Sequence, residues 1–182
     1  MRSLGDLIPK DVRTAGLTSA ELRRAQERAG ADFPPDLREL LKETLPVGRE
    51  WPDWRDHPAE TMQAWRDRVR DGIVFDVTRS DFWLAEWGER PTAIEEVREI
   101  LQRELTTAPT LIPVYGHRAI PNDPMEAGNP VFSVVQTDVI VYGSNLREYL
   151  VNEFHPRPPG GSRLLSVGGR EIRFWHALTR AQ

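Results

Sequence analysis

The chain has 182 residues, a net charge of −4 and no cysteine. That length suits one domain with a real core. The acidic balance argues against a general nucleic-acid-binding surface, which needs a basic face to displace counterions. The lack of thiols excludes disulfides, thiolate metal sites and a cysteine nucleophile. No stretch approaches the ~18 apolar residues of a membrane span, and the N-terminus has no apolar run of signal-peptide length. A cytoplasmic location is expected, with no membrane contact. Of the 24 basic residues only Lys10 and Lys42 are lysine, a bias read as genome composition and not as function.

The first helix is signalled by a Thr18–Glu21 capping box, with Leu17 and Leu22 placed as a hydrophobic staple. Leu22, Ala25 and Ala29 share one face, and Gly30 suits the stop. A second helix follows Pro34-Pro35, with Phe33, Leu37, Leu40, Leu41 and Leu45 at helical spacing, ended by Pro46 and Gly48. After Trp51-Pro52-Asp53-Trp54, Pro58 opens a third helix bearing Met62, Trp65 and Val69, which Gly72 closes. Ile73 to Val77 reads as a short strand. Asp81 to Gly88 reads as a compact turn or a single helical turn. A second capping box, Thr92 with Glu95, starts a helix carrying Ile94, Val97, Leu101 and Leu105.

Beyond Pro109 the pattern shifts to strands. Leu111–Tyr115 and Arg118–Ile120 flank Gly116, and a Pro-rich loop runs from Pro121 to Pro130. Val131–Val135 and Val139–Tyr142 read as a hairpin through Gln136-Thr137-Asp138. Ser144 is the expected cap of a helix with Leu146, Tyr149, Leu150 and Phe154, stopped before Pro156. His155 to Gly161 is a Pro/Gly-rich connection. Leu164–Val167 is a further strand candidate, and Gly168-Gly169 leads into a last helix with Ile172, Trp175 and Leu178. Helices and strands mix without regular βαβ alternation, which is an α+β pattern.

No catalytic motif is present. There is no phosphate-binding glycine loop, no Gly-x-Ser-x-Gly elbow and no His-Glu-x-x-His. His57, His117, His155 and His176 lack ligand spacing, so no metal and no cofactor are expected. His117 with Asp123 and Glu126 is a secondary candidate, for proton transfer or a small ligand. A plain polar loop explains the same residues.

Tryptophan is more informative. Five of the six fall between Glu50 and Glu96, a segment with twelve acidic and six basic residues. Aromatic anchors with an acidic rim suit a basic protein partner. Trp65 sits on a helical stripe and reads as core. Trp51, Trp54, Trp83 and Trp87 lie in loops and are expected to be exposed, with Asp53, Asp81 and Glu86 as pairing carboxylates. The competing reading is that these indoles fill the core.

Several runs together carry a family resemblance. They are Leu111-Ile112-Pro113-Val114-Tyr115-Gly116-His117-Arg118, Glu126-Ala127-Gly128-Asn129-Pro130-Val131-Phe132-Ser133-Val134, Gln136-Thr137-Asp138, Tyr142-Gly143 and Leu146–Leu150. Upstream, Phe33-Pro34-Pro35-Asp36-Leu37-Arg38-Glu39-Leu40-Leu41 looks like the second helix of the same family. The pattern resembles the SUKH superfamily, which includes the yeast cell-wall-synthesis regulator and many bacterial proteins. The stretch from Val47 to Pro58 is longer and richer in Trp than that pattern.

The resemblance implies one α+β domain with a mixed, mainly antiparallel sheet flanked by helices. Its core would span about residues 17–154, with a strand and helix over 163–181 packed on it. It implies a non-enzymatic immunity protein that binds and neutralises a cognate bacterial toxin by occlusion, and no catalytic residue. The alternatives are a regulatory scaffold of the cell-wall-regulator type and a small-molecule binder or enzyme using the His117 loop. No binding residue transfers from the family, so the expected partner-binding set stays Trp51, Asp53, Trp54, Asp81, Trp83, Glu86 and Trp87.

Overall fold

In the computed structural model of the protein, which describes residues 2–56, 58–155 and 169–181, local capping starts the fold. α1 (Ser19–Ala29) begins on the expected box. Thr18 Oγ1 accepts from the Glu21 N–H at 3.2 Å, and Glu21 Oε2 accepts from the Thr18 N–H at 2.7 Å. The helix ends at Gly30, whose φ of 64° is the left-handed conformation that glycine adopts without penalty. α2 (Pro35–Glu43) starts on its proline and buries Leu37, Leu40 and Leu41. It stops short of Leu45, which instead belongs to β2 (Thr44–Pro46), paired antiparallel with β1 (Arg13–Ala15).

α3 (Ala59–Arg79) corrects the third-helix and strand readings together. It is one helix of 21 residues, and Gly72 does not end it. Ile73 and Val77 continue the stripe of Met62, Trp65 and Val69 at helical spacing, which outweighs a short apolar run. A short 3₁₀ turn, Ala85–Trp87, follows as expected. α4 (Ile94–Thr107) starts on Ala93 with no side-chain cap, so the Thr92–Glu95 box does not form.

The second sheet is an antiparallel meander of β3 (Leu111–Tyr115), β4 (Arg118–Pro121), β5 (Val131–Val135) and β6 (Asp138–Gly143), in that spatial order. Val135 pairs with Asp138, so the hairpin turn is Gln136-Thr137 alone, with Gln136 at φ 57°. α5 (Leu146–Phe154) is capped by Asn145 and not by Ser144. The Asn145 Oδ1 accepts from the Glu148 N–H at 2.9 Å, and Glu148 Oε2 accepts from the Ser144 N–H at 3.2 Å. α6 (Arg173–Arg180) buries Phe174, Trp175, Ala177 and Leu178, with Ile172 at its N-cap. The Leu164–Val167 strand reading lies outside the described residues.

The α+β expectation holds, and the meander has a core on each face. Strand alternation sends Ile112, Val114, Ile120 and Val131 to one side, with α1, α2 and α5. It sends Leu111, Ala119, Phe132, Val134 and Val139 to the other, with α3, α4 and α6. Burial on both faces explains why these strands read as nearly continuous apolar runs. α3 joins the two cores, since Met62 belongs to the first while Ile73 and Val77 belong to the second. No helix among the described residues is long and apolar enough to cross a membrane.

Candidate functional site

Burial corrects the expectation of exposed indoles. Trp51, Trp54 and Trp87 are at most 8 % exposed. Trp51 stacks on Phe154 at 5.3 Å and tilts against Tyr115 at 4.7 Å, while Trp54 meets Phe33 edge-on at 4.7 Å. Trp87 stacks on Phe174 at 6.3 Å and takes the edge of Trp83 at 5.1 Å. Trp83 is half-buried, and its indole N–H donates to the Gly88 carbonyl at 2.8 Å. These are core contacts, so the competing core reading applies to three of the four.

The segment is also divided in space. Trp51 and Trp54 belong to the first core, Trp87 to the second, and Trp83 packs against the second. They enter from opposite ends of α3, whose 21 residues span about 30 Å at the helical rise. Asp53 stays with the first pair, where its Oδ1 accepts the backbone N–H of Arg55 at 3.1 Å and of Asp56 at 3.2 Å. Arg28 fixes the same loop to α1 through the Trp54 and Arg55 carbonyls, both at 2.8 Å.

The far end of α3 keeps the acidic character. Asp81, Glu86, Glu89, Glu95, Glu96 and Glu99 are all exposed there, against Arg90 and Arg98. Arg90 pairs with Asp81 at 3.1 Å and lies 5.9 Å from the Trp83 ring. Arg180 pairs with Glu86 at 3.0 Å. Glu89, Glu95, Glu96 and Glu99 have no basic partner among the described residues. Glu95 and Glu96 also suit the positive end of the α4 dipole. Sequence reasoning missed Glu89, Glu95, Glu96 and Glu99 as surface candidates; their density in one short stretch was the available signal.

The His117, Asp123 and Glu126 constellation does not assemble. His117 is on the β3–β4 turn, whereas Asp123 and Glu126 follow the other end of β4. Four strand residues, about 13 Å, separate the two ends. Glu126 instead pairs with Arg170 at 2.6 Å. Asn129, fully buried, donates to the Pro121 and Pro124 carbonyls at 2.9 Å each, and its Oδ1 accepts from Arg170 at 2.6 Å. The loop is therefore braced by side chains that satisfy its backbone. No cluster of metal-ligating side chains occurs among the described residues.

His117 has different neighbours. Burial, and then the Arg118 guanidinium in contact with its ring, push its pKa below the usual histidine value, against the opposing pull of Glu153 and Glu50. Behind it Arg118 lies 4.2 Å from the Tyr142 ring and 3.7 Å from the Glu153 carboxylate. Tyr149 is fully buried beside them, and its hydroxyl has no hydrogen-bond partner among the described residues. Burial, with Glu153 adding to it, raises the Tyr149 pKa far above normal, so the phenol stays neutral.

In front of His117 a groove of about 600 Å³ opens between α3 and the end of the meander. Trp65 and Val69 of α3 form one wall, Pro113 and Val134 the other, and Trp51 closes one side. The groove lies where the two cores part, below the helix that joins them. No family model matches the chain, and no curated protein or solved structure does either.

Proposed function

We propose that this chain is an immunity protein of the SUKH type, a cytoplasmic, non-catalytic binder that neutralises a cognate bacterial toxin by covering its surface. The observation that carries the reading is the acidic stretch from Asp81 to Glu99. Six exposed carboxylates outnumber the two arginines of that stretch, Arg180 of α6 pairs with one of them, Glu86, and the half-buried Trp83 lies in the same stretch. Trp83 is held by its hydrogen bond to Gly88 and by the edge contact with Trp87, so it can be presented at low entropic cost. Such a surface steers a basic partner and offers it an aromatic contact. The α+β architecture agrees with the fold that the sequence resemblance implies.

The test is affinity capture of the tagged chain from its native cells, followed by expression of the captured protein in a heterologous host. The reading predicts one stoichiometric partner whose expression stops growth, and growth restored when this chain is co-expressed. Several weak partners, or a partner whose expression leaves growth unchanged, contradicts it.

A further inference from the structure

The groove beneath α3 has chemistry that the acidic end lacks. Its walls are mainly apolar, and its volume of about 600 Å³ falls within the range of small-ligand sites. Arg49 and Arg68 stand at its edge, both exposed. Neither has a carboxylate partner among the described residues, whereas Arg55, Arg90, Arg118, Arg170 and Arg180 all do. Glu50 is the one carboxylate among the lining residues, and its carbonyl accepts from the Gly116 N–H at 2.7 Å. Two guanidinium groups against one carboxylate leave the mouth positive in a chain that is negative overall.

We propose that this groove binds a small amphipathic carboxylate, with its apolar body between Trp65 and the end of the meander and its carboxylate held by Arg49 and Arg68. The charge excess selects an anion, and arginine matches a carboxylate with two parallel hydrogen bonds. The apolar walls select a ligand with an aromatic or branched body over a hydrated inorganic anion. Neutral His117 adds a hydrogen-bonding group at the mouth without adding charge. This site belongs to the N-terminal half of α3, and the acidic surface to its C-terminal end, so either can fail without the other.

The test uses 2-naphthylacetate and its neutral amide, 2-naphthylacetamide, titrated into the intact protein and followed by the indole N–H signals in NMR spectra. The carboxylate is expected to shift the Trp51 and Trp65 signals saturably and to bind at least about tenfold more tightly than the amide, as a charge-assisted hydrogen bond would give. Arg49→Gln with Arg68→Gln should abolish that preference. Ala64→Trp, which starts from an exposed residue on the groove wall, should block both probes while leaving the signals of Trp87 and Trp175 in place. Equal affinity for acid and amide overturns the proposal. So does a response centred on Trp83 or Trp175, no saturable shift at millimolar probe, or unchanged binding to a folded Ala64→Trp protein.

Discussion

Asn129 shows how much one side chain decides in this fold. It is fully buried, donates to two carbonyls of the Pro121–Pro130 loop and accepts from Arg170. Asn129→Ala leaves those groups without their partner, and the cost of stranded buried polar groups sets the scale. The expected loss is about 3 kcal/mol in a urea unfolding titration; a loss within experimental error would contradict the bracing role.

His176 couples protonation to the start of α6. Its Nδ1 accepts from the Ile172 N–H at 2.9 Å at the start of α6, and its ring meets Phe132 edge-on at 5.1 Å. Burial, with Arg180 adding to it, pushes the pKa down, against the pull of the Ile172 backbone contact and of Glu171. The unfolded chain then binds a proton more readily than the folded one. Stability is complete above the unfolded value of about 6.5 and falls as the pH drops below it, until the folded value is passed. Urea midpoints at pH 7.5 and 5.5 should differ more for the parent than for His176→Gln. His117 contributes in the same direction, and the variant isolates the His176 share.

Residue-scale signals were legible where they are local. The Thr18–Glu21 box joins positions three apart, and its partners met as the spacing required. Ser144 and Asn145 are both good capping residues, and spacing alone did not separate them. Ser144 is buried at the end of β6, so the helix starts one residue later, on the Asn145 side chain.

Among the elements, α3 explains most of what sequence reading missed. Glycine at 72 looked like a stop, but it serves a close approach. A Cβ there would come within 3.0 Å of the Gln136 Cγ and 3.2 Å of its Cα. One turn on, Asp76 accepts from the Thr137 N–H at 3.1 Å and from its hydroxyl at 2.7 Å. Gly72 and Asp76 together seat the β5–β6 turn on the helix. Gly72→Leu is expected to cost about 2 kcal/mol by overpacking and to speed amide exchange at Thr137. Unchanged exchange at that turn would contradict the clamp. The glycine was visible in the sequence, while the turn that requires it lies more than sixty positions away.

For the whole molecule, two cores on opposite faces of one meander are the main result. That arrangement was only partly legible. The apolar strand runs were plain, but which helices cover which face depends on long-range packing. The Trp-rich acidic segment was clear as a composition, yet its indoles are shared between the cores and its exposed carboxylates are spread along both ends of α3, with few arginines beside those beyond Ser80. The intervening 21-residue helix is the physical reason that closeness in sequence did not become closeness in space. α3 thus carries a positive groove mouth toward one end and an acidic face at the other.

In the proposed function the acidic end of the molecule is the surface that meets the toxin. Hydrogen–deuterium exchange of this protein, free and bound to its captured partner, tests it most directly. New protection is expected over Asp81–Glu99, with binding that weakens steeply as salt rises. Protection confined to other elements, with Asp81–Glu99 exchanging as in the free protein, would contradict it.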